Sequence, residues 1–197
     1  MQAPALTQPQ PTPRHPSPEA YLALEDAAEH RSEYINGVIL PMAGSSTNHN
    51  RLSRNICNAI DTAFSNSDFE PFIADVKVWI PERRVYTYPD VMVVAGEPIY
   101  PEGRSDIITN PQVIIEVLSD STQDYDRTDK FLLYRSLPSF QEYFLIDQTC
   151  IRVEQYVKTG LRQWSLREYV PEDQSIMFAT VPLEIPLSTL YNKVQFA

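Results

Sequence analysis

Residues 112–119 read QVIIEVLS, a continuous apolar run with one acidic residue, Glu116, near its centre. A run without polar alternation is the pattern of a strand covered on both faces, so this segment belongs in the middle of a sheet. An unpaired ionised carboxylate in such a place costs several kcal/mol or more. Glu116 must therefore face a cation, bind a metal or stay protonated. The chain has to supply that compensation from nearby.

Composition bounds where it can come from. With 197 residues, 43% of them hydrophobic and 11% aromatic, the chain suits one domain with a sizeable core. Sixteen Lys and Arg against twenty-six Asp and Glu give a net charge of −10. The surface as a whole repels polyanions, so any nucleic-acid contact is local and non-specific DNA affinity is weak. Cys57 and Cys150 lack metal-type spacing, and no signal peptide or apolar run of about 18 residues occurs. These features predict a cytoplasmic protein with reduced thiols and no membrane association. Six of the seventeen prolines fall in the first eighteen residues, which predicts a flexible arm over 1–17 ahead of a single domain over 18–197.

Ser17 as N-cap, Pro18 at the first helical position and Tyr21, Leu24 and Ala28 on one stripe predict a short amphipathic helix. Asn36-Gly37 between two apolar segments predicts a hairpin, with Glu33 on its incoming strand. Helical spacing of Leu52, Ile56, Ile60 and Phe64 after a Ser-Ser-Thr-Asn cluster predicts a helix over 47–64. PFIADVKVWIP, the run beginning at Asp90 in TYPDVMVVAG, and QVIIEVLS read as three strands. Residues 126–137 read as helix, and FQEYFLID, IRVEQYVK and 163–169 as further strands. The hairpin and the short link between FQEYFLID and IRVEQYVK require antiparallel neighbours. The expected fold is α/β with α+β character: a mixed central sheet flanked by the helices at 47–64 and 126–137.

Asp90 opens one strand after Pro89, and Glu116 lies in the next. Neighbouring strands can bring both carboxylates to one edge of the sheet. Lys130 shares a helical stripe with Tyr134 and Leu137, so it leans towards the sheet if Leu137 does. Two carboxylates and an ammonium are the minimal equipment for metal-assisted phosphodiester hydrolysis. Other chemistries lack their motifs. Five glycines form no phosphate-cradling loop, and there is no HExxH, paired CxxC or nucleophile elbow. Ser119 and Ser121 have no base better than His49, and DSTQDYDRTD lacks the order and terminal Glu of a calcium loop.

The ordered segments YPDVMVV, VIIEVLS, DRTDKFLLY and FQEYFLID resemble the Uma2 (DUF820) family of restriction-endonuclease-like proteins, abundant in cyanobacteria. The resemblance spans roughly residues 21–190. It implies the PD-(D/E)xK nuclease core and a Mg²⁺ or Mn²⁺ site. The Pro-Asp of the signature falls on Pro89-Asp90 and its second acid on Glu116, with the Val117 carbonyl as additional metal ligand. The superfamily's lysine two residues after that acid is replaced by Leu118; the resemblance implies that Lys130, on the following helix, takes its role. Glu33 and His49 stand where the family carries cleft residues.

Each residue also has a structural reading. Asp90 can make a turn hydrogen bond, Glu116 a buried ion pair, Lys130 a surface pair with Asp126, His49 a packing contact and Glu33 a cross-strand pair. Two functions follow from the two sets of readings. The first is a metal-dependent endonuclease acting on DNA, with Asp90, Glu116, Lys130 and Glu33 at the site and phosphate contacts from Arg83, Arg84 and Arg104. The second is a non-catalytic module derived from a nuclease, using Tyr86, Tyr88, Tyr100 and Tyr156 for partner binding. A homodimer suits either.

Overall fold

The computed structural model describes residues 15–119 and 122–196. Its strands are β1 (Ser32–Ile35), β2 (Val38–Pro41), β3 (Phe69–Ile73), β4 (Lys77–Ile80), β5 (Val85–Thr87), β6 (Val91–Ala95), β7 (Ile107–Ile108), β8 (Val113–Leu118), β9 (Glu142–Asp147), β10 (Val153–Gly160), β11 (Gln163–Tyr169), β12 (Ser175–Met177) and β13 (Glu184–Pro186). Six of them form the main sheet in the order β11-β10-β9-β8-β6-β3, and β8 is interior, as its unbroken apolar run requires. The β8–β9 pair is parallel and the other pairs of this sheet are antiparallel, so the sheet is mixed. A second sheet has the order β2-β1-β5-β4-β7, and β12 pairs with β13.

Helix α1 (Pro18–Glu25) starts at Ser17, whose hydroxyl accepts from the Ala20 amide at 3.2 Å. The first fourteen residues of the proline-rich arm lie outside the described residues. Pro16 does not behave as part of a free arm: it is buried and its carbonyl accepts a 2.9 Å bond from the Tyr34 hydroxyl. The ordered chain thus reaches back past the boundary drawn at residue 18. Asn36 and Gly37 join β1 to β2 with φ of 44° and 97°, the left-handed pair that a two-residue hairpin needs.

Helix α2 (Thr47–Phe64) covers one face of the main sheet, packing Leu52, Ile56 and Ile60 against Val91, Val93, Val113 and Ile115. The opposite face is covered by a composite helix over 123–134, in which an α turn (Gln123–Tyr125) passes through a π-helical turn (Asp126–Lys130) into a second α segment (Phe131–Tyr134). Phe131, Tyr134 and Leu137 pack there against Met92, Val94, Ile114 and Leu118.

PFIADVKVWIP differs from expectation: it is two strands in two sheets. Ala74 takes a φ of 56° and the Asp75 amide donates to the Ile73 carbonyl at 2.7 Å, a reversal that ends β3 and starts β4 elsewhere. Alternating hydrophobicity continues across the turn, which hides the break.

Candidate active site

The two-residue period of β8 decides what Glu116 faces. Val113, Ile115 and Val117 belong to the core beneath α2, whereas Ile114 and Leu118 belong to the core beneath the composite helix. Glu116 falls in the second set, on the same side as Lys130. The Lys130 ammonium lies 2.9 Å from its Oε1, and the Tyr134 hydroxyl donates to the same oxygen at 2.7 Å. Oε2 accepts from the Asp90 amide at 3.3 Å. Lys130 and Tyr134, four residues apart, thus both point inward, and Glu116 is only 2% exposed. The Asp126–Lys130 pair also exists, at 3.4 Å, but it is buried rather than on the surface. The π-helical turn, a geometry that recurs at functional sites, brings both residues inward.

Asp90 immediately precedes β6. The last β6–β8 partners are Val91 and Ile115, so Glu116, Val117 and Leu118 run on without a strand on that side. Asp90 fills the gap: its Oδ2 accepts from the Val117 amide at 2.8 Å and lies 3.0 Å from His49 Nε2. His49 is held in the first turn of α2, where its amide donates to the N-cap Ser46 hydroxyl at 3.0 Å. Glu33 has the apolar Leu40 as its partner across the hairpin and makes no cross-strand ion pair there. Its Oε1 instead accepts from the Thr87 hydroxyl and, at 3.4 Å, from the Tyr88 amide, and lies 4.0 Å from the Lys130 ammonium.

Glu33, His49, Asp90, Glu116, Val117 and Lys130 all line one cleft of about 810 Å³. Sequence reasoning missed two further members, Asp126 and Tyr125. Asp126 had a visible signal, four residues before Lys130 on the same stripe. Tyr125 had none. Its hydroxyl is buried and has no hydrogen-bond partner among the described residues.

Three carboxylates, those of Glu33, Glu116 and Asp126, lie within 4.0 Å of the single ammonium of Lys130, and the Asp90 carboxylate lines the same cleft. Burial, opposed by Lys130 and reinforced by Asp90 and Asp126, leaves Glu116 raised to about 8. Burial raises Asp126 as well. For Lys130, burial works against the charge, but Glu116, Glu33 and Asp126 outweigh it and keep the ammonium charged well beyond its usual range. The excess of negative charge over cation is what a divalent metal would relieve. Among the described residues no three His, Cys, Asp or Glu side chains are grouped to hold a metal unaided. Two carboxylates and the backbone oxygen of Val117 form a hard donor set that suits Mg²⁺ or Mn²⁺, which keep several waters rather than occupy an all-protein cage. The residues fit such an ion.

Some contacts expected outside the cleft take other forms. Arg104 is bound to Asp26 and Asp106 at 2.7–2.8 Å, and neither it nor Arg83 nor Arg84 lines the cleft. Tyr86 and Tyr88 are buried and Tyr156 packs on Phe131, so of the four tyrosines considered for a partner surface only Tyr100 is exposed. Core packing claimed them. No helix among the described residues is long and apolar enough to cross a membrane.

Residues 18–189 match the family model Uma2, described as "Putative restriction endonuclease". An uncharacterized Synechocystis protein, sll1609, is 45% identical over 159 residues, covering 81% of this chain and 90% of its own. A second from the same organism, slr1290, is 34% identical over 186 residues, covering 91% and 93%. The fold matches a crystal structure from Anabaena variabilis, described as "a putative nuclease belonging to DUF820", with a TM-score of 0.72 and 20% identity over 89% of this chain and 97% of that one.

Proposed function

Because this chain belongs to the Uma2 family, we propose that it is a nuclease hydrolysing DNA phosphodiester bonds with Mg²⁺ or Mn²⁺ held by Asp90, Glu116 and the Val117 carbonyl. One observation carries the reading: Asp90, Glu116 and Lys130, distant in sequence, meet in a single open cleft with the Lys130 ammonium 2.9 Å from Glu116. When bound, the cation supplies Lewis acidity towards the phosphate and lowers the pKa of water.

The chain's own groups do the rest. His49 and the Val117 amide fix Asp90 through Oδ2, and neither bond falls on Oδ1. Tyr134 orients Glu116. Lys130, held between Glu116, Asp126 and Glu33, presents a fixed positive charge that positions the attacking water and stabilises charge developing on the phosphate. Glu33, anchored by Thr87, supports the water shell beside it. The reading places the protein in the cytoplasm as a two-fold homodimer.

Calorimetric titration of Mn²⁺ into wild type and Asp90→Asn, followed by a supercoiled-plasmid cleavage assay, tests this. Saturable binding lost in the variant, with nicking by wild type, is the expected result. A wild type that neither binds Mn²⁺ nor cuts would favour the non-catalytic module, with Lys130 and Glu116 a purely internal pair.

A further inference from the structure

The cleft is poor in cations for a site that receives a polyanion. Among the described residues lining it, Lys130 is the one lysine or arginine. A second groove of about 460 Å³ opens beside it, sharing His49, Tyr88, Asp90 and the loop 42–45, so the two form one continuous path over Asp90. This groove carries Arg31 and His30, with Glu29 beside them and Asp90 at the shared edge. The cleft residues absent from that groove include Gln148, Thr149, Gln195 and Phe196, whose side chains carry no charge.

Arg31 is placed to serve the path. It immediately precedes β1, and the groove it lines shares His49, Tyr88 and Asp90 with the cleft. Its carbonyl accepts from the Met42 amide at 3.0 Å, and its guanidinium stands 5.7 Å from the centre of the Tyr88 ring. The guanidinium is ion-paired with Asp75, yet the two side chains remain 46% and 67% exposed. Pairs so exposed hold weakly, and a phosphate offers the same fork a stronger bidentate acceptor.

We propose that the groove is a subsite for the backbone phosphate flanking the scissile one, with Arg31 as its receptor and Asp75 as the carboxylate that the phosphate displaces. The assignment rests on the nuclease reading above and adds a direction to it. The strand runs from the Arg31 groove across Asp90.

The test is the binding of a mixed-sequence DNA duplex in Ca²⁺, followed by fluorescence anisotropy over a KCl series, for wild type, Arg31→Ala and Asp75→Asn. Arg31→Ala is expected to weaken binding about three- to tenfold and to make the slope of log K against log salt shallower by about 0.9, one phosphate contact. Asp75→Asn frees the guanidinium and is expected to tighten binding. Mn²⁺ titration should be the same for all three proteins. Wild-type binding with an unchanged slope in Arg31→Ala, or weakening by Asp75→Asn equal to that of Arg31→Ala, overturns the subsite while the metal reading stands. A wild type that binds no duplex but still takes up Mn²⁺ takes down the DNA reading and the subsite together.

Discussion

Glu116 on β8 and Glu142 on β9 are both buried, 2% and 0% exposed, one strand apart in the same sheet. Glu142 is closed off by neutral donors. Its oxygens accept from Gln155 Nε2 and the Ala179 amide at 2.5 and 2.9 Å, from the Thr180 amide at 3.0 Å, and from the Thr180 hydroxyl. These bonds fasten the segment after β12 to the sheet, and the carboxylate lies outside the cleft. Glu116 meets a charged lysine, a phenol and one long amide bond, with three more carboxylates around it. Burial alone therefore does not mark a working acid. An unbalanced charge beside open space does.

The largest expected difference between the two is catalytic. Glu116→Gln removes the charge that faces Lys130 and should lower hydrolysis of bis(4-nitrophenyl) phosphate with Mn²⁺ by about 10²- to 10³-fold. Unchanged hydrolysis in Glu116→Gln would erase the contrast. The same substitution at Glu142 turns an amide NH₂ towards donors in either orientation, so Glu142→Gln should cost about 2–3 kcal/mol and leave Mn²⁺ binding untouched. Tyr125→Phe comes next. Deleting a buried hydroxyl that has no partner among the described residues should raise stability by up to about 1 kcal/mol in thermal unfolding; a loss would mean that the hydroxyl is held.

The smallest effect tests a carboxylate outside the cleft that is matched by cations. Burial works to raise Asp106, but bonds from Arg104 and Lys77 outweigh it and bring the group down to about 2. Its folded value lies below the unfolded one of about 4, so its contribution is complete above pH about 4 and is lost as pH falls through about 2. Acid unfolding of wild type against Asp106→Asn should diverge in that window and coincide below it.

The interior place of β8 was legible because its apolar run has no polar face, and Lys130 because Tyr134 and Leu137 share its stripe. The split of β3 from β4 was not, since Ala74 in a left-handed conformation leaves no compositional mark. Nor were β5 and β7, too short for periodicity to register. Glu33 was placed on its strand, but its partner Thr87 comes from a different strand far along the chain, a contact no local pattern encodes. Arg104 misled for the same reason: its partners Asp26 and Asp106 meet it only in three dimensions.

The C-terminal stretch has a practical consequence. Gln195 and Phe196 line the cleft, and the Gln195 carbonyl accepts from the Asn48 side chain at 2.7 Å near the start of α2. A polyhistidine tag fused behind residue 197 would hang its imidazoles at the mouth of the proposed metal site. Protein purified that way would report the tag's own Mn²⁺ affinity and mask that of Asp90. Protein meant for metal titration should carry a cleavable tag at the other end.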